Sequence, residues 1–249
     1  MTIANYTVNL QNIDWINLGC LIWFFTCWIG YARFARHMAK KSHCIASTMH
    51  SLRLSWMEAM LKREQRIADA SIVSNLEKNV AFMASTSILV LAGIVTALTS
   101  ADQVSDMLSS MHISADNSTE LVQFKLLLLA FIFIYAFFTF TWSLRQFGFS
   151  GVMIGASPLF SKDADQSEYE VLVRHGAKII DQASHSYNFG LRAYYFSMAA
   201  LSWFIHPIFF VISVAIVVWI LYQREFQSNT MKALLQVNQD LKQLNKKCD

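Results

Sequence analysis

Apolar residues gather in four stretches, at 15–32, 80–98, 123–142 and 196–222. The stretch 80–98 carries no charge over nineteen residues. At about 1.5 Å per residue it measures roughly 28 Å, close to the hydrocarbon thickness of a bilayer. The pattern predicts an all-α protein: a polytopic helical membrane protein with four transmembrane helices in one membrane domain. Two intervening segments read as amphipathic helices. In 33–79, Ile45, Met49, Leu52, Trp56 and Met60 recur every three or four residues, with Ile67 after a wider gap. In 143–195 the same spacing runs through Tyr169, Leu172, Val173, Gly176, Ile180, Ala183 and Tyr187. Ser167 and Glu170 match a capping box ahead of that helix, and Gly148, Gly151, Gly155 and Pro158 predict an irregular stretch before it. His206-Pro207 predicts a kink in the last span. Cutting 196–222 there leaves pieces of about a dozen residues, too short to cross, so it reads as one crossing.

Charge then gives the rods a direction. The segment 33–79 holds nine Lys or Arg, and the loop 99–121 holds none but carries Asp102, Asp106, Asp116 and Glu120. Positive loops stay on the cytoplasmic side. The N-terminus is thus expected outside, 33–79 and 143–195 cytoplasmic, and 99–121 outside. Four crossings put the tail 223–249 outside with five Lys or Arg, against the same rule. The tail carries Met231, Leu234, Asn238, Leu241 and Asn245 at heptad-like spacing. Trp15, Tyr31 and Trp142 stand at span ends, where amphipathic rings favour the headgroup level.

Composition agrees. The chain is 55% hydrophobic and only 15% charged, against about 25% in soluble domains. The net charge of +3 sits beside the spans, as an inner-leaflet surface requires, and calls for no nucleic-acid partner. Of the cysteines Cys20, Cys27, Cys44 and Cys248, the first two share a helix face seven residues apart, and no disulfide framework shows. Met1–Asp14 lacks the basic region of a cleavable signal, so the first apolar stretch is expected to remain as an anchor.

Four stretches resemble a family of bacterial and plant membrane proteins known only as a domain of unknown function, family 599. They are Asp69-Ala-Ser-Ile-Val-Ser-Asn75-Leu, Phe82-Met-Ala-Ser-Thr-Ser-Ile-Leu-Val-Leu-Ala-Gly93, Phe140-Thr-Trp-Ser-Leu-Arg-Gln146 and Asn188-Phe-Gly-Leu-Arg-Ala-Tyr-Tyr-Phe196. The similarity runs from about Arg53 to Phe226. It implies a four-span membrane protein and brings no catalytic residues with it.

The candidate site is a polar cluster at one membrane depth: Asp69, Asn75, Glu77 and Asn79 before the second span, Arg145 after the third, Asn188 and Arg192 before the fourth. Arg145 or Arg192 is expected to pair with Asp69 or Glu77, with interface anchoring and helix capping as the plainer reading. His206 stands alone as an ionisable residue deep in a span, where proton relay, haem ligation or a hydrogen bond at the kink are the options. Tyr135, Thr139 and Ser143, with Ser85, Thr86, Ser87 and Thr96, would line a pore or serve interhelical packing. His37, His43, Cys44 and His50 are metal-ligand types without a complete set. Asn5 and Asn117 begin glycosylation sequons. No phosphate loop, nucleophile elbow or zinc-protease motif occurs, and neither catalytic residue nor cofactor nor metal is expected. The expectation is a non-enzymatic, oligomeric, transport- or channel-like protein of a bacterial inner membrane. The alternative is a structural or assembly subunit. Its partners would be the lipid bilayer and either further copies or a membrane complex.

Overall fold

The computed structural model describes residues 15–38, 44–110, 118–160 and 166–248, and these form helices and short connections with no strand among them. In chain order they are α1 (Trp15–Met38), α2 (Ile45–Leu61), α3 (Ile67–Thr99), α4 (Ala101–Ser110), α5 (Thr119–Ala156), α6 (Gln166–Leu201), a 3₁₀ turn (Ser202–Phe204), α7 (Pro207–Tyr222), a π turn (Gln223–Gln227) and α8 (Asn229–Cys248). Four rods are long and apolar enough to cross a membrane: Trp15–Met38, Ile67–Thr99, Thr119–Ala156 and Pro207–Leu241. The chain is a polytopic helical membrane protein.

The central rod is α5, packed along its length against α3 on one side and α6 on the other. Both pairs are antiparallel. Along α5 and α6 the partners are Phe124 with Trp203, Phe133 with Tyr194, and Ser143 with the carbonyl of Ala183. These helices outrun the predicted spans. The 38 residues of α5 make a rod of about 57 Å, so it projects well past the bilayer core. Gly148, Gly151 and Gly155, expected in an irregular stretch, lie inside α5. Each glycine weakens a helix by only about 1 kcal/mol, and packing against α3 and α6 overrides that. The helix stops where proline forbids it to continue: Ser157, ahead of Pro158, is extended at ψ 133°. The guanidinium of Arg66 donates to the carbonyls of Ile154, Ser157 and Pro158, satisfying that C-terminus.

Two glycines have a steric role. A Cβ on Gly190 of α6 would stand 2.5 Å from the ring of Phe140, and one on Gly176 would stand 2.9 Å from the sulfur of Met153. Only glycine lets α5 and α6 approach this closely.

At its start, α6 already includes Ser167, so the predicted cap residue lies in the first turn rather than ahead of it. The sulfur of Cys44 accepts from the N–H of Ser47, and the Ser47 hydroxyl accepts from the N–H of Cys44, a reciprocal cap that starts α2. That helix ends at Leu61, so Ile67 belongs to α3, where it is exposed. Glu58 of α2 and Lys62, four residues on and just past the helix end, form an ion pair at 3.0 Å.

The stretch 196–222 departs most from expectation. It is not one rod. The 3₁₀ turn ends α6, His206 is extended at φ −162° and ψ 142°, and α7 begins at Pro207. The chain reverses here. Phe24 and Arg36 of α1 meet Phe196 and Phe189 of α6, an antiparallel match, while Phe24 and Phe34 meet Phe210 and Tyr222 of α7, a parallel one. The upper part of α6 is therefore a fifth rod in the bundle, with Gly190, Ala193, Phe196, Ser197, Ala199 and Ala200 buried. The argument from short halves fails because the predicted amphipathic helix and the start of the predicted span are one continuous helix of 36 residues.

The reversal brings the tail back to the α2 end of the bundle. Glu225 accepts from the N–H of Ala46, Asn238 accepts from Ser51, and Arg224 bonds to the hydroxyl of Tyr195. The tail therefore does not lie at the α4 end, as an even number of crossings required.

Replacing Gly190 with Ala should lower thermal stability in detergent by about 1–3 kcal/mol, because the buried Phe140 ring has nowhere to move; Phe140→Leu in the same chain should recover part of the loss. In a cysteine-free background, single cysteines at Glu64 and Gln236 should react with an impermeant thiol reagent from one side of a vesicle, and a cysteine at Gln103 from the other.

Candidate functional site

The predicted polar cluster does not assemble. Among the described residues no hydrogen bond or ion pair joins any two of its seven members. Asn75, Asn79 and Asn188 are exposed. The guanidinium of Arg145 lies over the ring of its own helix's Phe149, at 5.7 Å. Arg192 turns toward α1, 5.3 Å above the ring of Tyr31 and 5.6 Å from that of Phe189. Glu77 lies against Gly148 of α5. Each cation has taken an aromatic face close by rather than a carboxylate on another rod.

Asp69 is nonetheless a built feature. It is fully buried in the first turn of α3, and one carboxylate oxygen accepts from Trp56 Nε1 at 2.6 Å and from Arg63 at 2.7 Å. Position explains both bonds: a carboxylate in a first turn is favoured by the helix dipole, and Trp56 and Arg63 are the nearest donors across the short α2–α3 connection. A second carboxylate, Asp181 of α6, receives His50 and Arg53, both from α2; Arg53 also reaches Ser184 at 2.9 Å. Asp69 and Asp181 thus pin α2 to the two long helices at one end of the bundle. Sequence spacing carried no sign of Asp181, which reads as an ordinary polar position of an amphipathic helix.

His206 is not deep in a span. It stands at the turn between α6 and α7, where its Nδ1 accepts from the N–H of Ile208 at 3.1 Å. It caps α7 ahead of Pro207. The hydroxyls offered as pore-lining groups are used inside the protein. Thr139 donates to the carbonyls of Tyr135 and Ala136, and Thr86 and Thr96 bond back within α3. Ser143 donates across to Ala183, and Ser87 meets the hydroxyl of Tyr194 at 3.0 Å. Tyr135 packs edge-on to Trp28 at 5.5 Å. The threonine bonds stay within their own helices, whereas Ser143–Ala183, Ser87–Tyr194 and Tyr135–Trp28 are interhelical packing. Cys44 is buried in its cap, and no group of three potential metal ligands occurs among the described residues. His43, Asn5 and Asn117 lie outside the described residues.

The group the sequence did not single out is at the other end. Lys125, in the second turn of α5, is only 3% exposed. Among the described residues it has no hydrogen-bond or ion-pair partner, and its ammonium lies 5.9 Å from the ring of Trp203 and 5.7 Å from that of Phe204. The thiol of Cys20 on α1 is within electrostatic reach. Two polar atoms in the same region are buried without a partner: Trp203 Nε1, and the Oδ1 of Asn17, one turn before Cys20. In sequence, Lys125 reads as a cation at a span end, free to reach water. The helix break makes the difference, because it folds Trp203 and Phe204 over the ammonium.

The family described as "Protein of unknown function, DUF599" matches residues 20–230. The chain belongs to this family. No curated protein and no solved structure matches it. Three of the four stretches that carry the resemblance meet in the fold, Ser87 with Tyr194 and Phe140 with Gly190, and the remaining one starts α3, where Asp69 holds Trp56 and Arg63.

Truncating Asp69 to Ala should cost more stability than truncating Arg63 to Ala, since Asp69 is buried and also holds Trp56. A double-mutant cycle in detergent should give a coupling of about 1 kcal/mol between them, and none between Asp69 and Arg192.

Proposed function

We propose that the protein is a non-enzymatic, transport- or channel-like membrane protein that works as an oligomer, with the side chains around Lys125 as its solute station. The observation that carries this reading is a buried lysine, without a partner among the described residues, beside the α6–α7 turn. A charge among apolar helices is costly and is by default a pointer to a solute or ion path.

The charge rule supports the orientation. With the tail at the α2 end, Arg33, Arg36, Arg53, Lys62, Arg63, Arg66, Arg145, Arg224 and Lys232 belong to elements that reach that one end. We place that end in the cytoplasm, the N-terminus and α4 outside, and the whole in a bacterial inner membrane. Between α1, α6 and α7 the station is closed toward the middle of the chain by the stacked and edge-on rings of Phe24, Trp28, Phe196 and Phe210. That seal is why the reading requires more than one copy.

The same seal favours a second reading, an assembly subunit that holds a larger membrane complex. On that view α8 is the contact, since Val237, Leu241 and Leu244 are exposed along it.

Wild-type protein reconstituted into liposomes should pass ions or small solutes, and Lys125→Met should reduce the flux about tenfold or more. Liposomes that stay tight to every solute tested, together with a foreign subunit in the mass of the mildly extracted particle, would establish the assembly role instead.

A further inference from the structure

We infer that the Lys125 ammonium and the Trp203 indole N–H hold a phosphate group, carried on a lipid head or free, at the α4 end of the bundle. This deepens the transport reading by naming what the station takes. Lys125 is the one Lys or Arg buried among the described residues. An ammonium has three N–H donors, and among the described residues none of them has an acceptor. The two flanking rings offset only part of the cost of burying the charge. Among the described residues no carboxylate forms an ion pair with Lys125.

The other orphan atoms fit the same occupant. Trp203 Nε1, on a residue 1% exposed, is a donor without an acceptor. Asn17 Oδ1, on a residue 6% exposed, is an acceptor without a donor. An oxyanion answers the two donors, and a hydroxyl on or beside it answers the acceptor. Hydrogen phosphate has both features, and so does the phosphate-glycerol head of phosphatidylglycerol.

Depth agrees with a headgroup. Lys125 is six residues from the start of α5, about 9 Å along the helix. Trp15, 88% exposed at the start of α1, marks the interface at the same end. Leu201, Ile205 and Ile208 are exposed beside the turn that carries Trp203, an apolar strip against which an acyl chain can lie.

The test uses the full chain purified in a neutral detergent. Thermal unfolding is followed against inorganic phosphate, against phosphatidylglycerol in mixed micelles, and against chloride at matched ionic strength. Phosphate or phosphatidylglycerol should raise the midpoint saturably where chloride does not. The apparent Kd should weaken about tenfold or more in Lys125→Met, as expected for loss of a charged hydrogen bond. Trp203→Phe, which keeps the ring and removes only the N–H, should weaken it severalfold, and Lys125→Arg should retain binding. A response to phosphatidylglycerol alone assigns the site to lipid, and a response to phosphate alone assigns it to the free anion. Without added anion, Lys125→Met should be at least as heat-stable as wild type. Should it fail to fold, Trp203→Phe decides the matter. No effect beyond chloride, or an effect that survives both Lys125→Met and Trp203→Phe, overturns the site. Binding without liposome flux would overturn transport and leave the site standing; flux with no anion effect would do the reverse.

Discussion

The ring of Phe140 lies against the bare backbone of Gly190, and that contact sets how near α5 and α6 can come. Once they are that close, the register of the pair follows. Ser143 reaches the carbonyl of Ala183, and Phe133 meets Tyr194. Tyr194 in turn meets Ser87 of α3, so the third long rod is aligned by the same layer. The three rods pack as a slab, against which α1 and α7 lie in parallel. In an apolar surround, where burial of side chains gives helices little reason to associate, such close backbone approach and interhelical hydrogen bonding are what remain to drive assembly.

The ionised groups obey a different constraint. At the α2 end three carboxylates, Asp69 buried and Asp181 and Glu225 partly buried, each take a donor from α2. That helix is consequently a clamp: Asp69 fixes its C-terminal end, Asp181 its middle, and Glu225 its N-terminal turn. Within the layer, the cations Arg192 and Lys125 take aromatic faces. Arg192 over Tyr31 remains half-exposed, whereas Lys125 is buried, and this contrast makes the two ends chemically unlike.

The turn at His206-Pro207 connects these themes. Proline removes one backbone donor and His206 supplies a side-chain acceptor to another, so the helix can stop and restart without orphaned backbone groups. The reversal has two consequences at once: it returns the tail to the clamp, and it seats Trp203 and Phe204 over Lys125. One break thus sets both the end of the bundle that the tail reaches and the character of the buried site.

The amino-acid pattern alone determined that the chain is helical, that it enters a membrane, and that its cations favour one end. Those properties follow from local periodicity and from charge, which need no knowledge of neighbours. It also contained the four stretches of the family resemblance, three of which join α3, α5 and α6 while the one at Asp69 ties α3 to α2. What it could not settle was which groups meet. Asp69 and Arg192 stand near one depth on a linear drawing, yet a side chain bonds to the nearest donor in three dimensions, and for Asp69 that is Trp56 and Arg63. Glycines in α5 look like breaks until two flanking rods hold the helix together. The same proline that reads as a kink in an isolated span becomes a reversal when the preceding helix is already long enough to cross. Whether a lysine near a span end reaches water or is enclosed depends on what folds over it, and only tertiary structure decides that.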